Sequence, residues 1–330
     1  MCIQIVKMPL PGSKLKFTHE TNMQRAPFVI YADFESILIP TDIISKSKRS
    51  KCYQTHESCS VCLKMICIDP IFTKPSELYV GERPEKWLLE KLRQYEEEVV
   101  NILENPRQLY LSPEEQATFD AARHCYICKK QFLPGMTKVR DHCHVTGKYR
   151  GPAHQDCNLR LRQNTKIPVF FHNFRGYDSH IIMQAVDQFP KINISVIPQT
   201  MEKYLTLSWG RHIQFKDSLQ FMTASLETLV TNLHAAGQDK FRQLASEIPA
   251  DKLHYLLRKG VYPYDYMDSR TKFQETHLPS RAAFKSTLTG RELSAEDYDQ
   301  ALTVFEALNC QSIEDYHNLY LKSGMFTHSI

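Results

Sequence analysis

The chain has 330 residues, 42% of them hydrophobic and 24% charged, with a net charge of +4. That length and balance suit a globular protein of two domains, and a mild positive charge permits nucleic-acid binding without requiring it. Met1–Phe17 lacks the apolar core of a signal peptide and no run is long enough to span a bilayer, so the ten cysteines are read in an intracellular, reducing compartment, where clustered thiols serve metals rather than disulfides.

In chain order, residues 1–25 read as a basic, irregular tail. Phe28–Leu38 (FVIYADFESIL) reads as a buried strand whose acids Asp33 and Glu35 fall on one face. Burying carboxylates is costly unless they bind something; the alternative is a strand with a polar edge. Residues 43–56 read as an exposed basic loop with Lys46, Lys48, Arg49 and Lys51. Cys59-x2-Cys62, flanked by Cys52 and Cys67, lies in strand-like sequence; one clean pair favours packing cysteines in a hairpin over a zinc knuckle. In Lys86–Asn105 the apolar residues Leu88, Leu92, Tyr95, Val99 and Leu103 recur at helical spacing. Ser112-Pro113-Glu114-Glu115 is a helix start with a capping-box glutamate, and 84–120 is expected to be a helical connector.

The stretch Cys125–Asn158 is the richest in chemistry. Cys125-x2-Cys128 and His154-x2-Cys157 bracket it. Two short spacings bring four soft ligands to one tetrahedral ion, which is what structural zinc needs; buried cysteines at chance spacing are the alternative. Inside lies Asp141-His142-Cys143-His144, and Asn158 follows the second pair. Asp141 and Asn158 offer hard oxygens suited to Mg2+. His142 and His144, two apart, share one face of an extended strand, and a neutral imidazole there can take a proton from water. Arg140, Lys148, Arg150, Arg160 and Arg162 surround the cluster and suit a phosphate backbone.

Downstream, Ile167–His172 reads as an apolar strand running into Asn173-Phe-Arg-Gly-Tyr177-Asp178 and a helical pattern over Ser179–Asp187. Ile194–Ile197, Tyr204–Trp209 and His212–Phe215 read as strands. Helices are expected from Asp217-Ser218-Leu219, from Ser225–Leu229 and over Leu253–Leu257. Two C-terminal helices are expected after the caps Ser294-x-x-Asp297 and Ser312-x-x-Asp315.

Cys125/Cys128, Asp141-His142-x-His144, Thr146-Gly147-x-x-Arg150-Gly151 and His154-x2-Cys157-Asn158 closely resemble the recombination endonuclease VII family of His-Me finger (ββα-metal) nucleases, with His154 where that family usually has cysteine. The resemblance implies that Asp141 and Asn158 hold a catalytic Mg2+ or Mn2+, that His142 is the base and that His144 assists or contacts the phosphate. A second resemblance runs over most of the chain. Asp33-x-Glu35 followed by Asn173-x3-Tyr177-Asp178 looks like the Exo I and Exo II motifs of family B DNA polymerases, and FVIYADFES and FHNFRGYDSH resemble the protein-primed polymerases of Polinton/Maverick elements and related viruses. Many of those carry an endonuclease VII-like segment between the two motifs. The third motif, Tyr-x3-Asp, is matched at Tyr320, but its aspartate is Gly324; Tyr264-x3-Asp268 has the same spacing and is set aside because the phrase around Tyr320 matches over more residues.

Together these imply an α/β (α+β) chain in which a ribonuclease H-like 3′–5′ exonuclease domain, 26–83 and 165–330, is interrupted by a zinc-bound nuclease domain at 121–164. Asp33, Glu35 and Asp178 would hold Mg2+ in an exonuclease weakened at Gly324, with the helix bearing Tyr320 frayed. DNA is the expected partner, with a terminal protein or replication factors in a full-length relative, in a nucleus or viral replication site. Polymerase palm motifs are not in the chain, which reads as the exonuclease-bearing piece of such an enzyme. The alternative is a zinc-stabilised nucleic-acid-binding protein derived from a mobile element, without turnover.

Overall fold

The computed structural model describes residues 10–14, 24–41, 52–161, 164–200 and 202–328. Most of the basic tail, the loop residues Lys46, Lys48, Arg49 and Lys51, and Arg162 lie outside them. The chain forms two compact units: a larger one of Pro27–Glu104 and Lys166–Ile330, and a smaller one of Asn105–Thr165 with the residues before Pro27. The expected connector is thereby divided. Helix α1 (Pro84–Glu104) belongs to the larger unit and α2 (Pro113–Ala121) to the smaller.

The larger unit is built on a seven-stranded mixed sheet. With β1 (Phe28–Pro40), β2 (Gln54–Cys67), β3 (Glu77–Val80), β6 (Ile167–Phe171), β7 (Ile194–Pro198), β8 (Tyr204–Trp209) and β9 (Ile213–Asp217), its order is β3-β2-β1-β6-β9-β8-β7. The near-continuous apolar runs of β1 and β6 suit strands covered on both faces. They pair in parallel at Ile30↔Val169 and Tyr31↔Phe170, as β6 does with β9. So two segments separated by the whole smaller unit in sequence are neighbours in one sheet. On its other side β1 pairs with β2 along its full length, with a bulge between Glu35 and Ser36 that re-aims the strand beside its acids.

Helix α1 buries Leu88, Leu92, Tyr95 and Val99 of the expected stripe and Leu89 beside it, leaves Leu103 half-buried, and packs on β2. α4 (Asp178–Met183) follows β6, and α5 (Leu226–Ala236) and the short α6 (Arg242–Ala245) follow β9. α7 (Ala295–Ala307) and α8 (Ile313–His328) close the unit, capped by Ser294 and Ser312 as their sequences foretell. Three expected helices are shorter. Ser218–Gln220 and Leu253–Leu256 are single 3-10 turns, and Ser179–Asp187 splits into α4 and the turn Val186–Gln188. At the first of these the Asp217 carboxylate accepts from Leu219 N and from Asn173 N, so it ties the turn to the next strand's loop instead of starting a helix.

Cys59, Cys62 and Cys67 are buried in β2. Cys59 and Cys62 belong to the apolar cluster shared with α8, and burial pushes both thiols up to about 12. An extended strand does not turn residues three apart onto one ion, so these are packing cysteines. Helix α8 is not frayed. Leu321, Met325 and Phe326 are buried against β1 and β2, and this tertiary burial outweighs the helix-weakening Gly324.

Behind the β1 acids lies a buried polar chain. The His317 ring stands 2.6 Å from Ser60 Oγ through Nε2 and 2.6 Å from Tyr262 OH through Nδ1. Burial lowers its pKa to about 3, whereas an unfolded histidine takes its proton near 6.5. Its contribution is therefore complete above pH 6.5 and lost as pH falls toward 3. The unfolding free-energy difference between wild type and His317→Gln should shrink as pH falls from 6.5 to 4, by up to about 1.4 kcal/mol per pH unit. A difference constant across that range in urea titrations would show that His317 is not held neutral.

Candidate metal centre and active site

The smaller unit is a hairpin followed at once by a helix: β4 (Lys138–His142), β5 (Tyr149–His154) and α3 (Gln155–Arg160), which packs on both strands. Before it, a tight turn presents Cys125 and Cys128. Cys125 N donates to Lys130 O and Lys129 N to Cys125 O, both at 2.9 Å, and Lys129 takes the left-handed conformation (φ 62°) that closes the turn. His154 ends β5 and Cys157 sits in the first turn of α3.

The ligand atoms of Cys125, Cys128, His154 and Cys157 all lie within 4.8 Å of one another, and among the described residues this is the group of its kind that could hold a metal ion. His154 Nδ1 is 3.4 Å from Cys128 Sγ and 3.8 Å from Cys157 Sγ. Its Nε2 is buried without a partner, and the Phe132 ring packs edge-on at 4.7 Å. Burial alone would raise the Cys125 thiol, but N–H donors from Cys128, His154 and Ile127 outweigh it and bring the pKa to about 7. Cys157 is pushed up to about 12 by burial and by the other thiols. The set is half-prepared for a cation: one thiolate is favoured by the backbone, while another needs a positive charge to ionise.

Asp141 and His142 close β4, with a bulge between them, and Asp141 is buried. His144 is not in the strand as expected but in the turn that follows, because Gly147 N→Cys143 O (2.8 Å) folds the chain back. The turn still brings the two imidazoles together, with centroids 5.3 Å apart. Gly147 has φ +71°, and a Cβ there would lie 2.5 Å from Gln108 O. Burial, His142 and Arg150 lower the His144 pKa against the opposing pull of Asp141, so its imidazole is neutral near pH 7. Asn158, half-buried, lies on α3 one residue beyond Cys157.

Each oxygen of the Asp141 carboxylate accepts a hydrogen bond. Oδ1 accepts from Arg150 NH2 at 2.8 Å, and Oδ2 accepts from the Tyr126 hydroxyl. Gly151 makes that second bond possible, since a Cβ there would stand 2.8 Å from the Tyr126 ring. The other cations divide. Arg140 donates to Gln116 and stacks on Phe119 with its guanidinium 4.2 Å from the ring centroid, while Lys148 and Arg160 are exposed. Lys138, which the sequence did not single out, caps the end of α2 through the carbonyls of Phe119 and Ala122.

In the larger unit Asp33, Glu35 and Asp178 line one cavity of about 460 Å³, together with Tyr320 and Gly324. Desolvation raises the Asp33 carboxyl to about 7, partly offset by the Phe34 N–H and by Lys259. Glu35 and Asp178 are raised further, first by desolvation and then by Asp33. A Cβ on Gly324 would lie 3.2 Å from Asp33 Oδ2, so the position where the third motif would carry its acid does abut the other acids. Sequence reasoning missed Tyr264, whose hydroxyl donates to Glu35 Oε1 at 3.3 Å and stands 3.0 Å from Tyr320 OH. The signal was there in Tyr264-x3-Asp268; Asp268 itself pairs with Lys272 at 3.2 Å. It missed Lys259 as well, since a lysine in a loop has no pattern that marks a cavity wall.

Residues 105–178 match the model of the recombination endonuclease VII family. The smaller unit is endonuclease VII-like. The match covers its Cys/His cluster and its Asp-His-x-His turn and continues through β6 to Asp178. Comparison with curated proteins and with solved structures finds no match to the chain. The family supports nuclease, DNA-binding and metal-binding character for the small unit; Asp33 and Glu35 lie outside the matched span. No helix among the described residues is long and apolar enough to cross a membrane.

An acid whose folded pKa is raised destabilises the fold progressively as pH rises from its unfolded pKa toward the raised one. In EDTA at pH 8, Asp178→Asn should therefore melt higher than wild type, and the gain should fade toward pH 5. Mn2+ should reverse the order by stabilising wild type more. Wild type melting higher in EDTA at both pH values would contradict the strained-carboxylate account.

Proposed function

We propose that the smaller unit is a metal-dependent DNA endonuclease of the ββα-metal type, with zinc at Cys125, Cys128, His154 and Cys157 and Mg2+ or Mn2+ at Asp141 and Asn158. The observation that carries this reading is the junction of hairpin and helix. Asp141 and His142 end β4, the Cys/His cluster joins β5 to α3, and Asn158 follows on that helix. Three thiols and an imidazole are a zinc set, whereas the oxygens of Asp141 and Asn158 suit a harder ion. When bound, the divalent ion supplies charge to the phosphate and leaving oxygen. His142 takes the proton from the attacking water, and the neutral His144 beside it assists or contacts the phosphate. Exposed Lys148 and Arg160 hold neighbouring phosphates without reading sequence.

A second reading is favoured by the cavity at Asp33, Glu35 and Asp178. The parallel β1/β6 pair, the clustered acids and Tyr320 support a ribonuclease H-like 3′–5′ exonuclease fold related to family B polymerases. Two-ion hydrolysis places cations on both the attacking and leaving oxygens. With Gly324 in place of a fourth acid, the site holds one ion poorly and exonuclease activity is low. The family match ends at residue 178 and lends no support to the polymerase resemblance or to terminal-protein and replication partners.

One assay with two substrates separates these readings. On branched and supercoiled DNA with Mg2+, His142→Ala should lower nicking by about 100-fold or more, while Asp33→Ala leaves it unchanged. On end-labelled single strands, native degradation should be slow. DNA binding without nicking would make the smaller unit a zinc-stabilised binding module, and fast 3′–5′ degradation abolished by Asp33→Ala would make the larger unit the working nuclease.

A further inference from the structure

Arg150 occupies an awkward position for a site that is to hold a divalent ion. Asp141 is 2% exposed. A carboxylate so buried requires a compensating charge, and Arg150, from the opposite strand of the hairpin, supplies it at 2.8 Å to Oδ1. The Tyr126 hydroxyl takes Oδ2. Both oxygens of the one acid in the Asp-His-x-His turn are thus occupied by protein donors. The Arg150 side chain, meanwhile, is 30% exposed and lies close enough to His144 to lower that ring's pKa. It therefore reaches from a partly exposed position down to the buried acid.

We propose that Arg150 is an exchangeable counter-ion: it neutralises Asp141 in the ion-free protein, yields Oδ1 to the divalent ion, and then turns to the phosphate that the ion and the histidines address. This rests on the assignment of Asp141 to the catalytic ion. A guanidinium and a divalent ion brought to the same oxygen repel each other, so each weakens the other's hold on Oδ1 and the two compete. Once displaced, the partly exposed guanidinium can turn outward, and its planar fork of donors suits a phosphate bidentately. Competition weakens ion binding in the absence of substrate. A phosphate that captures the released Arg150 removes the competitor and so tightens the ion. Ion and DNA then bind with positive coupling, and by linkage each strengthens the other equally. Tyr126 has no such alternative, because its ring is wedged against Gly151, so it remains on Oδ2 and keeps the carboxylate oriented.

The test uses the full chain carrying Asp178→Asn, so that the acids of the larger unit do not bind the probe, and reads Mn2+ affinity by electron paramagnetic resonance with and without a short DNA duplex. Cleavage is blocked by His142→Ala throughout. Arg150→Met should bind Mn2+ about fivefold or more tighter than its Arg150 parent when DNA is absent, and should lose most of the tightening that DNA gives the parent. Arg150→Lys should restore part of that DNA-linked tightening. Damage to the fold would weaken Mn2+ binding, so tightening is not a generic outcome; a zinc content equal to the parent's confirms that Arg150→Met is folded, and Tyr126→Phe, which removes the other donor but leaves the arginine, should retain the DNA coupling. Equal or weaker Mn2+ binding in folded Arg150→Met, or undiminished coupling, overturns the proposal. Mn2+ binding that survives Asp141→Asn unchanged would instead show that the underlying assignment of Asp141 is at fault.

Discussion

The smaller unit has almost no apolar core, and its Cys/His cluster is the feature able to tie it together. Between Asn105 and Thr165 the buried hydrophobic residues are Phe119, Cys125, Val145 and Ala153 among those described. A domain of that length with four such side chains does not offset the entropy of ordering its chain. Small scaffolds of this kind are held by disulfides or by metal, and every described cysteine of this unit is a free thiol. The cluster ties the 125–128 turn to the end of β5 and the start of α3. Those are also the elements that carry Tyr126, Arg150 and Asn158. The positions of Tyr126, Arg150 and Asn158 are thus inherited from the four clustered residues.

The larger unit shows the same electrostatic problem under the opposite structural condition. Its core is extensive, running from α8 through β1 and β2 and, on the other face, to α1. It can therefore tolerate three carboxylates gathered in one cavity, at the cost of raised pKa values at all three. Asp33 has Lys259 as a distant cation, and Glu35 has Tyr264 as a donor, but neither replaces a bound ion. At Asp141 the protein supplies its own counter-ion in Arg150; at Asp33, Glu35 and Asp178 it leaves the like charges largely uncompensated. A bound cation would act differently in the two units, tying the chain together in one and relieving repulsion among the acids in the other.

Much of this was legible in the sequence because the decisive signals were local. The x2 spacings of Cys125/Cys128 and His154/Cys157 survive folding as turns, so four ligands could be named from spacing alone. The alternation around Asp33 and the apolar run of Ile167–Phe171 marked two central strands, although nothing local says that they are paired. Illegible features were those set by contacts between distant residues. Whether Gly324 frays a helix depends on the burial of Met325 and Phe326 under the sheet, and tertiary packing overrode propensity there. Asp217 looked like the start of a helix because its capping chemistry is visible locally, while its hydrogen bond to Asn173 N is not. Tyr264 joined the acids through a loop whose path no periodicity encodes. Arg150 was recognised as a cation in a basic motif, yet its partner lies across a hairpin whose bulge had to be seen to bring it there.

The most direct test of the account is hydrogen exchange on the full chain before and after removal of metal by a strong chelator. Stoichiometric zinc should leave with chelation, and amides of Lys138–His142, Tyr149–His154 and Gln155–Arg160 should lose protection together, while those of the central strands Phe28–Pro40 and Ile167–Phe171 stay protected. Protein that carries no zinc, or a hairpin that keeps its protection once the metal is gone, would contradict the claim that the Cys125–Cys128–His154–Cys157 cluster holds the site together.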